Sequence, residues 1–283
     1  MPELPEVEVL ARHLRPLIRG KIIRGVNVRR AKVLVPTSPQ KFRRTLLGAA
    51  FTGLSRRGKY LLFQLHAPGR KEPLTLLGHL GMTGRFFLAR KNEPLPRHAV
   101  VVLDLGGENF IYEDTRYFGR LTLDVSAVGH LGPEPLGDDF QPAAFAETLK
   151  RSRQAIKVRL LDQTLVAGIG NIYASEALFR ARISPRLPAR TLSWSQVARL
   201  WRAIREVLAG AIACGSTVPL NFGGDRSDGL FYFGRAPGAV DYYEELLWVY
   251  DRAGRPCPNC GGSIKRIKQA ARSTFYCPRC QRV

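Results

Sequence analysis

Leu131-Gly132-Pro133-Glu134-Pro135-Leu136-Gly137-Asp138-Asp139 separates two halves of the chain that differ in periodicity. Its prolines, glycines and paired aspartates are turn formers, so the stretch reads as a hinge. Upstream, apolar residues come in short runs of strand length. Downstream, they recur every three or four positions, as on one face of a helix. This change of period fixes the expected fold class: α+β and multidomain, with a β-sandwich in the first half and helices in the second.

Upstream of the hinge, Pro5 suits a first helical position, and Val7, Leu10, Leu14 and Leu17 follow at helical spacing. Pro16 and Gly20 are expected to end that helix. Strands are expected over 21–30, where Ile22, Ile23, Val26 and Val28 cluster, and over 60–65, 74–77 and 121–125. Residues 99–105 and 109–113 flank Gly106-Gly107 as a hairpin. One domain therefore covers residues 1–132.

Downstream, residues 140–161 hold one or two helices and 171–181 another. Residues 193–213 open on Ser193 and Gln196, a capping box. Val197, Leu200, Trp201, Ile204, Val207, Leu208 and Ala211 then share one face and read as core. Residues 215–238 are glycine-rich and lack periodicity, which marks a functional or disordered loop. A helical domain over 133–250 and a terminal module over 251–283 follow.

That terminal module carries the strongest local signal. Cys257-Pro-Asn-Cys260 and Cys277-Pro-Arg-Cys280, 16 residues apart, bring four thiolates within reach of one zinc. With four sulfur ligands no open position remains for water, so the metal is structural and its binding folds the module. Lys265, Arg266, Lys268 and Arg272 make the intervening hairpin basic, without one acid. Cys214, the fifth cysteine, is given no role. The 283 residues include 44 Lys+Arg against 23 Asp+Glu, a net charge of +21. Such a charge attracts polyanions, with nucleic acid foremost and a strong salt dependence. No apolar run reaches membrane-spanning length and no signal-peptide core is present, so a cytoplasmic protein is expected.

The other end of the chain carries chemistry. Met1-Pro2-Glu3-Leu4-Pro5-Glu6-Val7-Glu8 places a small residue after the initiator, which favours removal of Met1 and leaves a secondary amine on Pro2. An α-amine titrates near ~7.7–8.0, so roughly a tenth is neutral and nucleophilic at pH 7. Attack by a proline nitrogen on a sugar carbon gives an iminium, which favours elimination. Glu3 is placed to give a proton to the oxygen leaving that carbon.

Taken together, the opening Pro-Glu-Leu-Pro-Glu-Val-Glu, the run Gly168-Ile-Gly170-Asn171-Ile-Tyr173-Ala-Ser-Glu176 and the ribbon ending Ser273-Thr-Phe-Tyr-Cys277 resemble the formamidopyrimidine-DNA glycosylase family. The resemblance runs from Met1 to Cys280. It implies a β-sandwich with flanking helices, then a helix–two-turn–helix domain ending in a zinc ribbon. It also implies an enzyme that is both a DNA glycosylase and an abasic-site lyase. Pro2 would be the nucleophile, Glu3 the proton donor, Lys59 a phosphate contact and proton relay, and Glu6 would order the N-terminus. His79, Asn171, Tyr250 and Arg272 would hold phosphates, and Lys157 would lie near the modified base. Met82, Arg116 and Phe118 would fill the void left by a flipped base, with Arg116 facing the orphaned cytosine.

Two departures from the family pattern bear on lesion preference: Tyr117 stands where a second basic residue is usual, and the loop after Thr217 reads Val218-Pro219. The expected partner is duplex DNA with oxidised bases or abasic sites, bound by a monomer. The expected substrates are oxidised purines, 8-oxoguanine and formamidopyrimidines. Two alternatives stay open: the sister, endonuclease VIII-like family acting on oxidised pyrimidines, and a non-catalytic zinc-ribbon DNA-binding protein.

Overall fold

The computed structural model describes residues 2–215 and 247–282. Met1 and the expected loop, with Val218 and Pro219, lie outside the described residues. Two compact units divide the rest: Pro2 with Glu6–Gly129, and Glu3–Pro5 with residues 130–215 and 247–282.

The first unit begins in helix α1 (Leu4–Ile18), whose Val7, Leu10, Ala11, Leu14 and Ile18 are all buried. Pro16 sits inside this helix rather than ending it, and the chain turns only at Gly20, in the left-handed region at φ 80°. Eight strands follow among the described residues: β1 (Gly25–Val28), β2 (Ala50–Arg57), β3 (Tyr60–His66), β4 (Leu74–His79), β5 (Gly84–Arg90), β6 (Ala99–Asp104), β7 (Glu108–Asp114) and β8 (Arg120–Thr122). They form two four-stranded antiparallel sheets, ordered β1-β6-β7-β5 and β2-β3-β4-β8. Phe51, Phe63, Phe86 and Phe110 draw on both sheets and pack ring to ring at 5.5–6.1 Å. Each such ring contributes roughly 1.5–3 kcal/mol by leaving water. The sandwich is thus present, with more elements than periodicity indicates. The expected strand at 21–30 shrinks to β1. Strands β2 and β5, and helix α2 (Pro39–Leu46), had no assignment from pattern. β2 is interrupted by Gly53 and ends in two arginines, so its sequence lacks the usual strand signature. α2 did carry a local signal, since Ser38 caps it and Pro39 opens it.

Beyond the short α3 (Ser126–Gly129), the second unit packs α4 (Pro142–Lys150), α5 (Ile156–Leu160), α6 (Asn171–Arg180) and α7 (Trp194–Ala213) around one core. The capping box forms as expected: the Ser193 side chain accepts from Gln196 N–H, and the Gln196 side chain accepts from Ser193 N–H. The hinge residues are tied to this unit, for Arg205 donates to the carbonyls of Pro135 (2.9 Å) and Gly137 (3.0 Å). The terminal hairpin pairs β9 (Lys265–Gln269) with β10 (Arg272–Tyr276). Its two turn residues, Ala270 and Ala271, both take positive φ, as a two-residue hairpin turn requires.

Candidate active site

Within the second unit, the site is organised by the carboxylate of Glu3. Buried to 2% exposure, it accepts backbone N–H groups from Gly170 (2.7 Å), Ile172 (2.9 Å) and Tyr173 (3.4 Å). Those amides are the unsatisfied donors at the start of α6, where the helix dipole favours a negative charge. A glycine turn before a helix is a ready place for an external anion. The anion it holds here is the protein's own Glu3. Two glycines make the approach sterically feasible. A Cβ at position 170 would lie 2.2 Å from the Glu3 carboxyl carbon, and one at 168 would lie 2.6 Å from the Leu4 Cβ. Gly168 O also accepts the Leu4 N–H at 3.0 Å, so the chain start is pinned to this turn through backbone and side chain together.

Around Glu3 the fold gathers Lys157, Asn171, Tyr250 and Arg272, residues that sequence alone could only nominate separately. The fully buried Lys157 ammonium donates to the Asn171 side-chain oxygen, and Asn171 Nδ2 donates to Ser273 O at 2.9 Å. Burial and the nearby Arg272 bring Lys157 down to about 8, against the opposing pull of Glu3. Tyr250 hydrogen-bonds Asn171 and packs its ring on Phe275 of β10 at 5.1 Å; burial raises its hydroxyl above the usual range. Tyr250 owes its place to Glu176, which sequence reasoning did not assign. Within α6, this buried carboxylate accepts the N–H groups of Trp248 (2.8 Å), Val249 (3.0 Å) and Tyr250 (2.8 Å), and burial raises its titration.

The first unit carries the remaining candidates. Pro2 is buried, and Glu6 is fully buried on α1. Lys59 is buried in the β2–β3 turn, which Gly58 makes tight at φ 55°. Arg56, three residues before Lys59, is taken up by an ion pair with Glu8 at 2.8 Å. His79 ends β4, its ring 4.8 Å from that of Tyr60. Burial, then the charges of Lys59 and Arg120, bring His79 down to about 4, and its Nδ1 accepts the Gly81 N–H at 3.2 Å. The imidazole is therefore neutral, with Nδ1 an acceptor and the ring proton on Nε2. Met82 (38% exposed) and Phe118 (53% exposed) stand out of two loops, and the Arg116 guanidinium lies 4.7 Å over the Phe118 ring.

At the ribbon, the sulfurs of Cys257, Cys260, Cys277 and Cys280 all lie within 4.8 Å of one another. The pairs Cys257–Cys280 (3.9 Å) and Cys260–Cys277 (3.5 Å) are too far apart for disulfides. They match the edge of about 3.8 Å that four sulfurs make around zinc. Four thiolates in this arrangement suit one structural zinc.

Three family models cover most of the chain: the formamidopyrimidine-DNA glycosylase N-terminal domain over residues 1–121, its H2TH domain over 131–220, and the zinc finger found in FPG and IleRS over 254–283. A formamidopyrimidine-DNA glycosylase of Symbiobacterium thermophilum is 43% identical over all of this chain and 90% of its own length. That of Thermus thermophilus is 42% identical over 99% of this chain and 98% of its own. Among solved structures, the Lactococcus lactis Fpg bound to DNA containing an abasic site superposes with a TM-score of 0.86. It shares 33% identity over 99% of this chain and 100% of that one. The chain belongs to the formamidopyrimidine-DNA glycosylase family, whose members are DNA glycosylases with abasic-site lyase activity. The sister-family and non-catalytic readings are thereby set aside. No helix among the described residues is long and apolar enough to cross a membrane.

Proposed function

We propose that this protein removes oxidised purines from duplex DNA and then cleaves the strand, with Pro2 as nucleophile once Met1 is removed. The observation that carries this reading is the capture of Glu3 by the first amides of α6, immediately after Pro2 in the chain. The neutral Pro2 amine attacks C1′ of the damaged nucleotide as the base departs. In becoming an iminium it releases its proton to Glu3, which returns one to the sugar ring oxygen. Loss of a C2′ proton then drives β-elimination, and a second elimination frees the other side of the sugar.

The remaining roles follow the chemistry of each group. Lys157, Asn171, Tyr250 and Arg272, clustered about Glu3, hold the phosphates and base beside the lesion. Lys59 relays protons, neutral His79 donates from Nε2, and Glu6 orders the N-terminus. Met82, Arg116 and Phe118 fill the vacated stack. In Lactococcus lactis Fpg, solved complexes contain abasic, formamidopyrimidine and oxidised-pyrimidine DNA, which supports damaged DNA as the substrate class here. The division into 1–132, 133–250 and 251–283, a monomeric state and a cytoplasmic, nucleoid-bound location complete the proposal.

Borohydride trapping on an abasic duplex tests it. A covalent complex should form with the mature protein and be severely weakened by Pro2→Gly or by a tag placed before Pro2. Full trapping by the blocked protein would exclude Pro2 and point to a lysine such as Lys59.

A further inference from the structure

The loops carrying Met82 and Phe118 are joined by one carboxylate that neither the mechanism nor the motifs assign. Asp114, the last residue of β7, is fully buried. Its Oδ1 accepts the Thr83 hydroxyl at 2.6 Å and the Arg116 N–H at 3.1 Å. Its Oδ2 accepts the Gly119 N–H at 2.9 Å and the Tyr112 hydroxyl at 3.4 Å. Thr83 belongs to the loop between β4 and β5, and its hydroxyl oxygen also accepts the Arg116 N–H at 3.2 Å. Residues 115–119 form the loop between β7 and β8. The two loops meet backbone to backbone, for a Cβ at Gly81 would lie 2.6 Å from Gly119 N and 2.7 Å from the Phe118 carbonyl carbon. Tyr117, between Arg116 and Phe118, is held in the left-handed region at φ 55°. A loop with an unfavourable dihedral keeps its shape only where its surroundings determine it, and here the Asp114 carboxylate grips it on both sides of Tyr117.

We propose that Asp114 is a positioning residue for opposite-base recognition, clamping the two loops so that Met82, Arg116 and Phe118 meet the duplex as one preformed group. The proposal rests on the reading of those three side chains as the residues that enter the vacated stack. Side chains already ordered in the free protein lose less conformational freedom on insertion. A guanidinium whose backbone is fixed also distinguishes an acceptor from a donor on the orphaned base, whereas one on a loose loop adapts to either. Asp114→Asn keeps the volume but turns an NH2 toward either Arg116 N–H or Gly119 N–H, releasing one side of the grip. Thr83→Val removes both bonds of the Thr83 hydroxyl, the one it donates to Asp114 and the one it accepts from Arg116 N–H, while Thr83→Ser keeps them.

Single-turnover excision of 8-oxoguanine opposite cytosine and opposite adenine tests this, with cleavage of a preformed abasic site in parallel. Asp114→Asn and Thr83→Val should each compress the cytosine-over-adenine ratio threefold or more, with a smaller loss on the abasic site, and Thr83→Ser should keep the wild-type ratio. In the Arg116→Ala background, Asp114→Asn should change the ratio no further. A ratio that Arg116→Ala abolishes but Asp114→Asn and Thr83→Val leave intact would overturn the proposal alone. Equal wild-type rates opposite cytosine and adenine would overturn the assignment of Arg116, and the proposal with it.

Discussion

Glu3 and Glu176 are the same functional group in nearly the same situation. Each is buried, and each accepts three backbone N–H groups. Glu3 caps α6 from outside, at the positive end of the helix. Glu176 lies within the same helix and holds residues 248–250 against it. The difference is in what stands beside each carboxylate. Glu3 follows the proposed nucleophile in the chain, so in the proposed reaction its proton affinity counts. Glu176 holds the backbone of Trp248, Val249 and Tyr250, so it acts through where Tyr250 is placed. Three N–H bonds are therefore architecture in both cases, and in the proposed reaction only the neighbour makes one of them chemistry.

The identical substitution at both positions breaks this pairing most directly. A glutamine keeps one acceptor oxygen and turns its NH2 against at least one N–H, which costs about 1–3 kcal/mol of stability at either site. Glu3→Gln should in addition slow base release by roughly 10²–10⁴-fold, the usual worth of a positioned proton-transfer group. Glu176→Gln should leave that rate nearly unchanged in the saturated complex and weaken DNA binding instead. Single-turnover rates at saturating enzyme distinguish them, and equal slowing by the two variants would remove the distinction.

The ribbon sharpens the same contrast. Val249, Phe179, Ile264 and Phe275 share a small core with Cys257 and Cys277, so the segment held by Glu176 is also held by the metal module. Zinc should be present at one per chain, and Cys277→Ser should lose it. DNA affinity should fall by about tenfold or more, since the metal's binding energy folds the hairpin that carries Arg272. The loss should resemble that of Glu176→Gln, in affinity more than in rate. Less than half an equivalent of zinc in protein purified without chelator would contradict this.

The smallest effect concerns Lys157, which feels both Glu3 and Arg272. With its ammonium brought down to about 8, the charge is lost as pH rises through 8. DNA affinity should therefore fall between pH 7 and 9 by roughly three- to tenfold, because the charged fraction of a group titrating at about 8 drops about tenfold over that span. Lys157→Arg should flatten that profile. The sign for stability is opposite. Because the folded value lies below the unfolded one, the unfolded chain binds more protons between pH 8 and 10.5, and this group's contribution to stability rises over that window. A binding profile with the same slope in wild type and Lys157→Arg would assign the pH dependence elsewhere.

Much of this was legible in the amino-acid sequence because it is written over short distances. Cysteine spacing defines a tetrahedral site within a single hairpin. Ser193 and Gln196 cap a helix three residues long in its signal, and the apolar stripe of α7 repeats within that helix. Pro2 and Glu3 declare themselves by being adjacent. β2 and β5 stayed hidden because Gly53 interrupts the one, and a glycine and arginines at its ends leave the other only a short apolar run; their strand character comes from the neighbours they pair with. The expectation that Pro16 ends α1 failed for a related reason. The face of α1 buried against the sandwich outweighs the local cost of a proline near the helix end.

By itself, then, the sequence determined the ribbon and its metal, the helical and sheet-forming halves, and the candidate reactive residues, Pro2 and Glu3, at the chain start. Only the tertiary structure decided that Glu3 is the anion at the start of α6, nearly 170 residues away. It alone brought Lys157, Asn171, Tyr250 and Arg272 around that carboxylate, and made Asp114 the link between two loops. Each of these is a side-chain contact with a backbone or a charge distant in the chain. Such a contact leaves no period, spacing or cap in the sequence. It depends on the path of the chain between the two partners, and packing of the cores sets that path.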